Sequence, residues 1–473
     1  MLLKRIYDTK LAQASYLIGC QATGEAIVVD ANRDVGQYER AAADEGVRIT
    51  HVTETHIHAD FVSGSKELAE RTGARLFLSD EGGDDWRYAF AAASNATLLR
   101  DGDAVTVGNL RLDVLHTPGH TPEHLSFLIT DTLTSARPMG ALTGDFIFVG
   151  DVGRPDLLER AAHIQGTMVA GARALFASIQ RFKALPDYLQ LWPGHGAGSA
   201  CGKALGAVPS TTLGYERIAN WALIVTDEDE FVTTVLAGQP EPPRYFADMK
   251  RINKAGPRAL GGFPHPPHRS SDELAPLLAK SALVVDTRPA SEFATSFVDG
   301  TINIPLNKSF STWAGSLIPF DREFFLIVNS DNTSAIDEAV RDLAMIGLDR
   351  VGGYFGSHAV GAWGTASHPL GSIPQTTVHA LSERMSREHV QVIDVRGRAE
   401  WEHGHLPSVP NIPLGTLQDR LGELSRDAPI VVHCQGGGRS SIAASILRAN
   451  GFDQVENLVG GYGAWEKEKL PTE

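Results

Sequence analysis

Thr55-His56-Ile57-His58-Ala59-Asp60 is the stretch on which the reading of this chain turns. It follows Ile49 to Val52, an apolar run that predicts a strand. In extended chain His56, His58 and Asp60 project to one side. Imidazole nitrogen together with carboxylate oxygen suits a borderline divalent ion. Three later segments offer the same ligand types: Thr117-Pro118-Gly119-His120-Thr121, Thr143-Gly144-Asp145 and Pro193-Gly194-His195-Gly196. Any one of these histidines alone reads as an ordinary polar residue at a strand end. All four segments in this order read as parts of one metal site.

Around them, short apolar runs alternate with helical patterns. Ala26 to Asp30 and Leu110 to Leu115 predict strands, and Ser65 to Thr72 and Ala172 to Phe182 predict helices. Gly256-Pro257 and Gly261-Gly262-Phe263-Pro264-His265-Pro266-Pro267 then mark a linker over 256–270.

Beyond the linker lies an internal repeat. Asp286-Thr287-Arg288 matches Asp394-Val395-Arg396, and Asn303-Ile304-Pro305-Leu306 matches Asn411-Ile412-Pro413-Leu414. Leu326-Ile327-Val328 matches Ile430-Val431-Val432, Gly347-Leu348-Asp349 matches Gly451-Phe452-Asp453, and Ala362-Trp363 matches Ala464-Trp465. A period near 100 residues is a duplicated domain, too long for a solenoid unit. Strand and helix alternate in each copy, which predicts parallel α/β sheets over 271–370 and 371–473.

The second copy holds a distinctive turn. Pro429 to His433 predicts a buried strand, and Ser440 to Asn450 a helix capped by Gly451. Cys434-Gln435-Gly436-Gly437-Gly438-Arg439 joins them. The glycines let backbone N–H groups curl toward the cysteine sulfur, and the helix N-terminus and Arg439 also favour an anion there. In the first copy Ser330 takes the place of Cys434 and Ala335 that of Arg439, and Asp331-Asn332-Thr333-Ser334 replaces the glycine cradle. That copy has no sulfur nucleophile; its stripe Ile336, Val340 and Leu343 reads as core.

Bulk properties narrow the field. The 473 residues suggest about three domains of ~150. No apolar run reaches the ~18 residues of a membrane span, and Met1-Leu2-Leu3-Lys4-Arg5 lacks a signal-peptide pattern. The expectation is a cytoplasmic protein with no membrane partner. A net charge of −15 argues against a nucleic-acid partner, since phosphate binding needs a basic face. Cys20, Cys201 and Cys434 are too few for a disulfide framework and suit a reducing compartment. Oligomeric state, a homo-oligomer included, is open at this stage.

The order HxHxD, PGHT, TGD, PGHG resembles the metallo-β-lactamase superfamily over domain 1–255. That resemblance implies an αββα sandwich with the metal at one edge. The broader family reads HxHxDH and holds two zinc ions. Here Phe61 stands where the last histidine would be, which removes a ligand from a second metal. His56, His120 and Asp145 then form a two-histidine, one-carboxylate face whose open positions suit Fe(II). This resembles the persulfide dioxygenase branch, which implies one Fe(II) per chain on those three residues, with zinc as the alternative. His58, Asp60 and His195 would lie beside the metal and orient its ligands. Gly153-Arg154-Pro155-Asp156 is similar to that branch too, and implies an arginine holding an anionic thiol carrier; a purely structural arginine is the competing reading. Cys201, in Gly196-Ala197-Gly198-Ser199-Ala200-Cys201-Gly202-Lys203, resembles a stretch of rhodanese-fused dioxygenases and reads as a thiol near the site, with a small buried cysteine as the rival reading. The Cys-x4-Arg turn resembles a rhodanese active site, with Gln435, Gly436, Gly437 and Gly438 as the anion cradle. The first copy then resembles an inactive rhodanese-like domain.

Together these resemblances imply oxidation of a small thiol persulfide by dioxygen to sulfite. Cys434 would relay sulfane sulfur, with Arg439 stabilising the anion and thiosulfate made or used. A binuclear zinc thioester hydrolase of the glyoxalase II type with an attached rhodanese, and a sulfur-carrier scaffold, are the rival expectations.

Overall fold

The structure is a computed structural model describing residues 1–162, 166–203, 205–329, 332, 334–366, 368–387 and 390–473. Ser330, Asp331 and Thr333, three of the replacements expected in the first copy, lie outside the described residues. The chain divides into two compact units: Met1–Phe263 with Ala344–Gly347, and Pro264–Leu343 with Leu348–Glu473. Among the described residues no helix is long and apolar enough to cross a membrane.

In the first unit, period-two alternation builds the layers. Along Glu25–Val29, Ala26 and Val28 face one core while Ile27 and Val29 face another. Along Leu125–Asp131, Leu125, Phe127 and Ile129 join that second core and Leu128 turns to a third. One six-stranded sheet runs Leu2–Asp8, Gln13–Cys20, Glu25–Val29, Arg48–Thr53, Arg75–Ser79, Thr97–Leu99. The other runs Thr211–Thr212, Gln190–Pro193, Gly140–Gly144, Leu125–Asp131, Leu110–His116, Ala104–Val107. The core between them draws Tyr16, Ile18, Phe77, Leu112, Phe127 and Trp192 from both. Helices Val35–Asp44 and Ser65–Thr72 cover the first sheet, and Thr167–Phe182 covers the second. This is the expected αββα sandwich. Each fully buried Val, Leu, Ile or Phe in it contributes about 1.5–3 kcal/mol. The last helix starts five residues before the expected Ala172 and runs through Gly171. A Cβ at Gly171 would lie 3.1 Å from the Gly119 carbonyl, so glycine lets the helix press on the loop that carries His120.

The second unit shows the duplication directly. In the first copy Leu283–Asp286 pairs in parallel with Ile302–Asn303 and Phe324–Val328, and Val351–Gly356 follows, bridged to His268. In the second, Gln391–Asp394 bridges Asn411 and pairs with Ile430–His433, then Val455–Leu458 and Gln375–Thr376 follow. The strand order is the same. Phe324–Val328 is buried throughout, as a parallel strand covered on both faces requires. Side-chain networks repeat too. Arg288 grips Asp286 and Arg396 grips Asp394 through paired bonds of 2.7–3.1 Å. The Asn303 and Asn411 amides each bond the carbonyls of that Asp and Arg.

Both copies, 271–370 and 371–473, lie within this one compact unit. The helix Gly438–Ala449, which begins two residues before the expected Ser440, packs on elements of both. Its residues Ile442 through Leu447 are all buried. It touches the first copy's Ile302–Asn303, where the Asn303 N–H donates to Ser445 Oγ at 2.9 Å. Val340 and Leu343 are buried core, and Ile336 is half-buried.

Candidate functional site

The residues of the first candidate site all sit just past strand ends. His56 follows Arg48–Thr53, His120 lies between Leu110–His116 and Leu125–Asp131, Asp145 follows Gly140–Gly144, and His195 follows Gln190–Pro193. Gly144 makes the turn into Asp145 with φ +47, and a Cβ there would come within 2.6 Å of Thr55 Oγ1. Gly194 passes so close that its Cβ would lie 2.8 Å from Asp145 Oδ1.

Three imidazoles converge on Asp145. His195, His120 and His56 place Nε2 at 3.4, 3.5 and 3.9 Å from Asp145 Oδ2. The opposite ring nitrogens are held: His56 Nδ1 by Thr55 Oγ1, His120 Nδ1 by the Arg154 carbonyl, His195 Nδ1 by the Ala12 carbonyl. Each ring therefore presents Nε2 to the centre. Burial pushes the His56 and His120 imidazoles below their ordinary range, which leaves them neutral as a metal requires. Burial pushes the Asp145 carboxyl up, but His195, His56 and His120 outweigh it and hold it well below the usual carboxylate range.

Four carboxylate oxygens here, both of Asp145 and both of Asp60, are buried and accept no hydrogen bond. A buried acceptor left open costs about 1–3 kcal/mol. A cation is the partner that fits them. His56, His120 and Asp145 bring one ligand atom each within 4.8 Å of one another.

His58 does not join that set. The HxHxD run is a loop rather than extended strand, so its side chains diverge. His58 Nε2 meets Asp30 Oδ1 at 3.1 Å, and its ring packs 4.4 Å from Phe61. Burial would lower its pKa, but Asp30, Glu54 and Asp60 raise it to about 9. Asp60 instead meets His195 Nε2 at 3.3 Å.

Cys201, expected either near the site or as a small buried cysteine, is buried beside Asp60 and His195. Lys203 Nζ is spent on the Thr234 carbonyl, and burial pushes the thiol up to about 12. Arg154, expected as an anion holder or as a structural arginine, lies beside His120, whose Nδ1 meets its carbonyl. It is fully buried, paired with Asp156 at 2.8 Å through two nitrogens and bonded to the Ala200 and Pro240 carbonyls. It braces the loops around the site. Cys201 nonetheless gathers with Asp60 and His195 within 4.8 Å, a second set of ligand types beside the first, despite Phe61.

The sulfur-carrying loop is built as the glycines predict. Gly437 adopts φ +102, and its N–H donates to Cys434 Sγ at 3.1 Å. Ser440 Oγ donates to the same sulfur at 3.5 Å. The loop is clamped from behind by Gly460-Gly461: the Tyr462 and Gly463 N–H groups donate to the Cys434 and Gln435 carbonyls at 2.7 and 2.9 Å. Arg396 stacks on Tyr462 at 4.0 Å and reaches the Gln435 amide oxygen. Arg439 lines the same cavity as Cys434. Its guanidinium is paired with Glu400 through bonds of 2.5 and 2.8 Å, so its charge is already answered.

Sequence reasoning missed His124 and Asp30. His124 Nε2 accepts the Asp145 N–H at 3.1 Å and its ring stacks on His56 at 5.1 Å. Burial lowers its pKa to about 3, so it stays a neutral acceptor. Asp30 takes the Thr55 N–H at 2.6 Å and fixes the start of the His56 loop. A histidine four residues after His120, and an aspartate ending an apolar strand, were the available signals.

The sequence family described as the metallo-beta-lactamase superfamily matches residues 8–195, and the rhodanese-like domain family matches 377–468. A crystal structure of a metallo-beta-lactamase from Staphylococcus aureus subsp. aureus COL is 42% identical, with a TM-score of 0.67. It covers 75% of this chain, and 99% of its own length is matched. The chain belongs to the metallo-beta-lactamase superfamily. As a member of that superfamily it also carries a rhodanese-like domain after the αββα unit. The mitochondrial persulfide dioxygenase ETHE1 of Bos taurus is 26% identical over 200 residues, 41% of this chain and 68% of its own length. A hydroxyacylglutathione hydrolase of Methylobacterium sp. (strain 4-46) is 31% identical over 179 residues, 38% of this chain. Only 60% of that hydrolase's length is spanned.

Proposed function

We propose that this protein oxidises low-molecular-weight thiol persulfides to sulfite at an Fe(II) centre and passes sulfane sulfur through Cys434. The observation that carries the reading is the pairing, in one chain, of a two-histidine, one-carboxylate cluster with a sulfur whose ligand is a loop N–H. The likeness to the bovine persulfide dioxygenase supports it.

His56, His120 and Asp145 would hold the metal. When bound, Fe(II) supplies a redox-active centre at which a soft sulfur anion and dioxygen react. The chain's own residues prepare that place. Thr55, Arg154 and Ala12 fix the three imidazoles in one tautomer and one orientation. His124 keeps the Asp145 backbone in place. Phe61, fully buried against His58, keeps water from that flank.

At the second site the Cys434 sulfur attacks the outer sulfur of a donor R–S–SH. A Cys434–S–SH bond forms, the donor S–S bond breaks, and R–S⁻ leaves with its electron pair. Sulfite then attacks the outer sulfur, thiosulfate leaves, and the cysteine is restored. The Gly437 N–H and Ser440 hydroxyl receive the charge on sulfur.

A second reading has its own observation. Asp60, His195 and Cys201 form a second possible ligand set, which would suit a two-metal centre, and the hydroxyacylglutathione hydrolase relative favours thioester hydrolysis. Elemental analysis joined to an oxygen-electrode assay decides between them. One iron per chain and oxygen uptake with a small persulfide are expected. Two zinc ions per chain and no oxygen uptake would overturn the proposal. In Cys434→Ser, oxygen uptake should persist and thiosulfate formation should stop.

A further inference from the structure

The helix Phe246–Ala255 buries three residues at helical spacing, Phe246, Met249 and Asn253. The third breaks the apolar stripe. Asparagine is a weak helix former, and a buried amide needs partners for both its oxygen and its nitrogen. A residue that breaks a local rule inside a packed core marks a site with another task.

Asn253 finds its partners in one turn of distant chain. Its Nδ2 donates to the His58 carbonyl at 2.8 Å and to the Phe61 carbonyl at 2.7 Å, and its Oδ1 accepts the Ser63 N–H at 2.9 Å. Ala59 and Asp60 lie between the two carbonyls. The amide therefore fastens both ends of the turn that presents Asp60, and the His58 and Phe61 rings pack together at the same two positions. Asp60 has no other anchor of that kind. Its carboxylate accepts no hydrogen bond among the described residues, yet it lies 3.3 Å from His195 Nε2, which in turn lies 3.4 Å from Asp145 Oδ2. The backbone at 58 and 61 thus decides where this charge sits. The helix end that carries the amide is itself pinned. The Ala89 N–H donates to the Lys254 carbonyl at 2.9 Å, and a Cβ on Gly256 would come within 2.8 Å of Phe90.

We infer that Asn253 is a positioning residue of the metal centre. It acts through the 58–61 turn rather than on the ion. By holding that turn it sets the Asp60 carboxylate against His195, and so the charge that surrounds Asp145. This rests on the assignment of His56, His120 and Asp145 as the metal-holding set and adds the residue that keeps their surroundings in register.

The test uses the full chain freed of metal with a chelator, titrated with Co(II) and followed by visible absorption, a readout that needs no turnover. Asn253→Asp keeps the side-chain size and the acceptor for the Ser63 N–H, but turns an oxygen toward two carbonyls. Its dissociation constant for Co(II) should rise about tenfold to a hundredfold, the loss typical of groups that orient metal ligands. The titration is run well below the thermal midpoint of the metal-free variant, so that a merely structural role would leave the constant unmoved. A rise of less than about threefold, well short of that range, overturns the assignment. If Asn253→Asp fails to fold, Asn253→Ala, which buries no charge, is read by the same constant and the same threshold. His56→Ala separates the two claims, because it should abolish the visible Co(II) band. If the band survives, the metal-holding set itself is wrong; if it is lost while the Asn253 variants bind as the parent does, only the positioning role is wrong.

Discussion

Gly461→Ala should disable sulfur transfer while leaving the metal unit intact. Gly461 sits at φ +55, where an L side chain costs about 1–2 kcal/mol. Its missing Cβ would lie 2.1 Å from the Cys434 carbonyl oxygen and 2.9 Å from the carbonyl carbon. Cβ atoms essentially never come closer than 3.0 Å, so the carbonyl must retreat by roughly 1 Å. That motion breaks the 2.7 Å bond from the Tyr462 N–H and drags Cys434 with it. A misplacement of about 1 Å at a reacting group costs on the order of a hundredfold in rate. The assay is thiocyanate formation from thiosulfate and cyanide, run beside oxygen uptake with a persulfide. The expected result is a transfer rate down about a hundredfold with oxygen uptake at the parent level. A variant that folds and transfers sulfur at the parent rate would refute the clamp.

His124→Phe removes the acceptor of the Asp145 N–H and leaves that donor buried and open, at a cost of about 1–3 kcal/mol. Metal content by elemental analysis should fall below the parent's in the purified variant, and equal loading would count against the role given to His124. Glu400→Gln tests the Arg439 pair by pH. Burial raises the Glu400 carboxyl, but Arg439 outweighs it and holds the carboxyl below its ordinary value. The stability it contributes is therefore complete above the unfolded carboxylate pKa and is lost as pH falls through the folded one. Thermal midpoints of parent and variant should differ near neutrality and converge in acid; a gap that widens on acidification contradicts this.

Much of the architecture was legible because it is periodic. Alternation along Glu25–Val29 and Leu110–His116 states which side chains meet which layer, and the matched Asp-x-Arg and Asn-Ile-Pro-Leu landmarks state the duplication. The four metal-type segments were legible because they recur at strand ends. Other features hide in distance. Nothing local marks Asp30 as the partner of His58, since 28 residues separate them. Arg439 looked like a free cation because Glu400 is 39 residues away. Arg154 is open to two readings in sequence because two of its partners, the Ala200 and Pro240 carbonyls, are 46 and 86 residues away. The shared compact unit was invisible for the same reason: the Ser445 hydroxyl and the Asn303 N–H lie 142 residues apart.

The helix Gly438–Ala449, buried over residues 442–447, fastens one copy to the other. The first copy's Ile302–Asn303 packs on it and holds Ser445 through the Asn303 N–H. A cut that removed the first copy would bare that apolar helix beside the loop that presents Cys434, and a bared apolar seam invites aggregation.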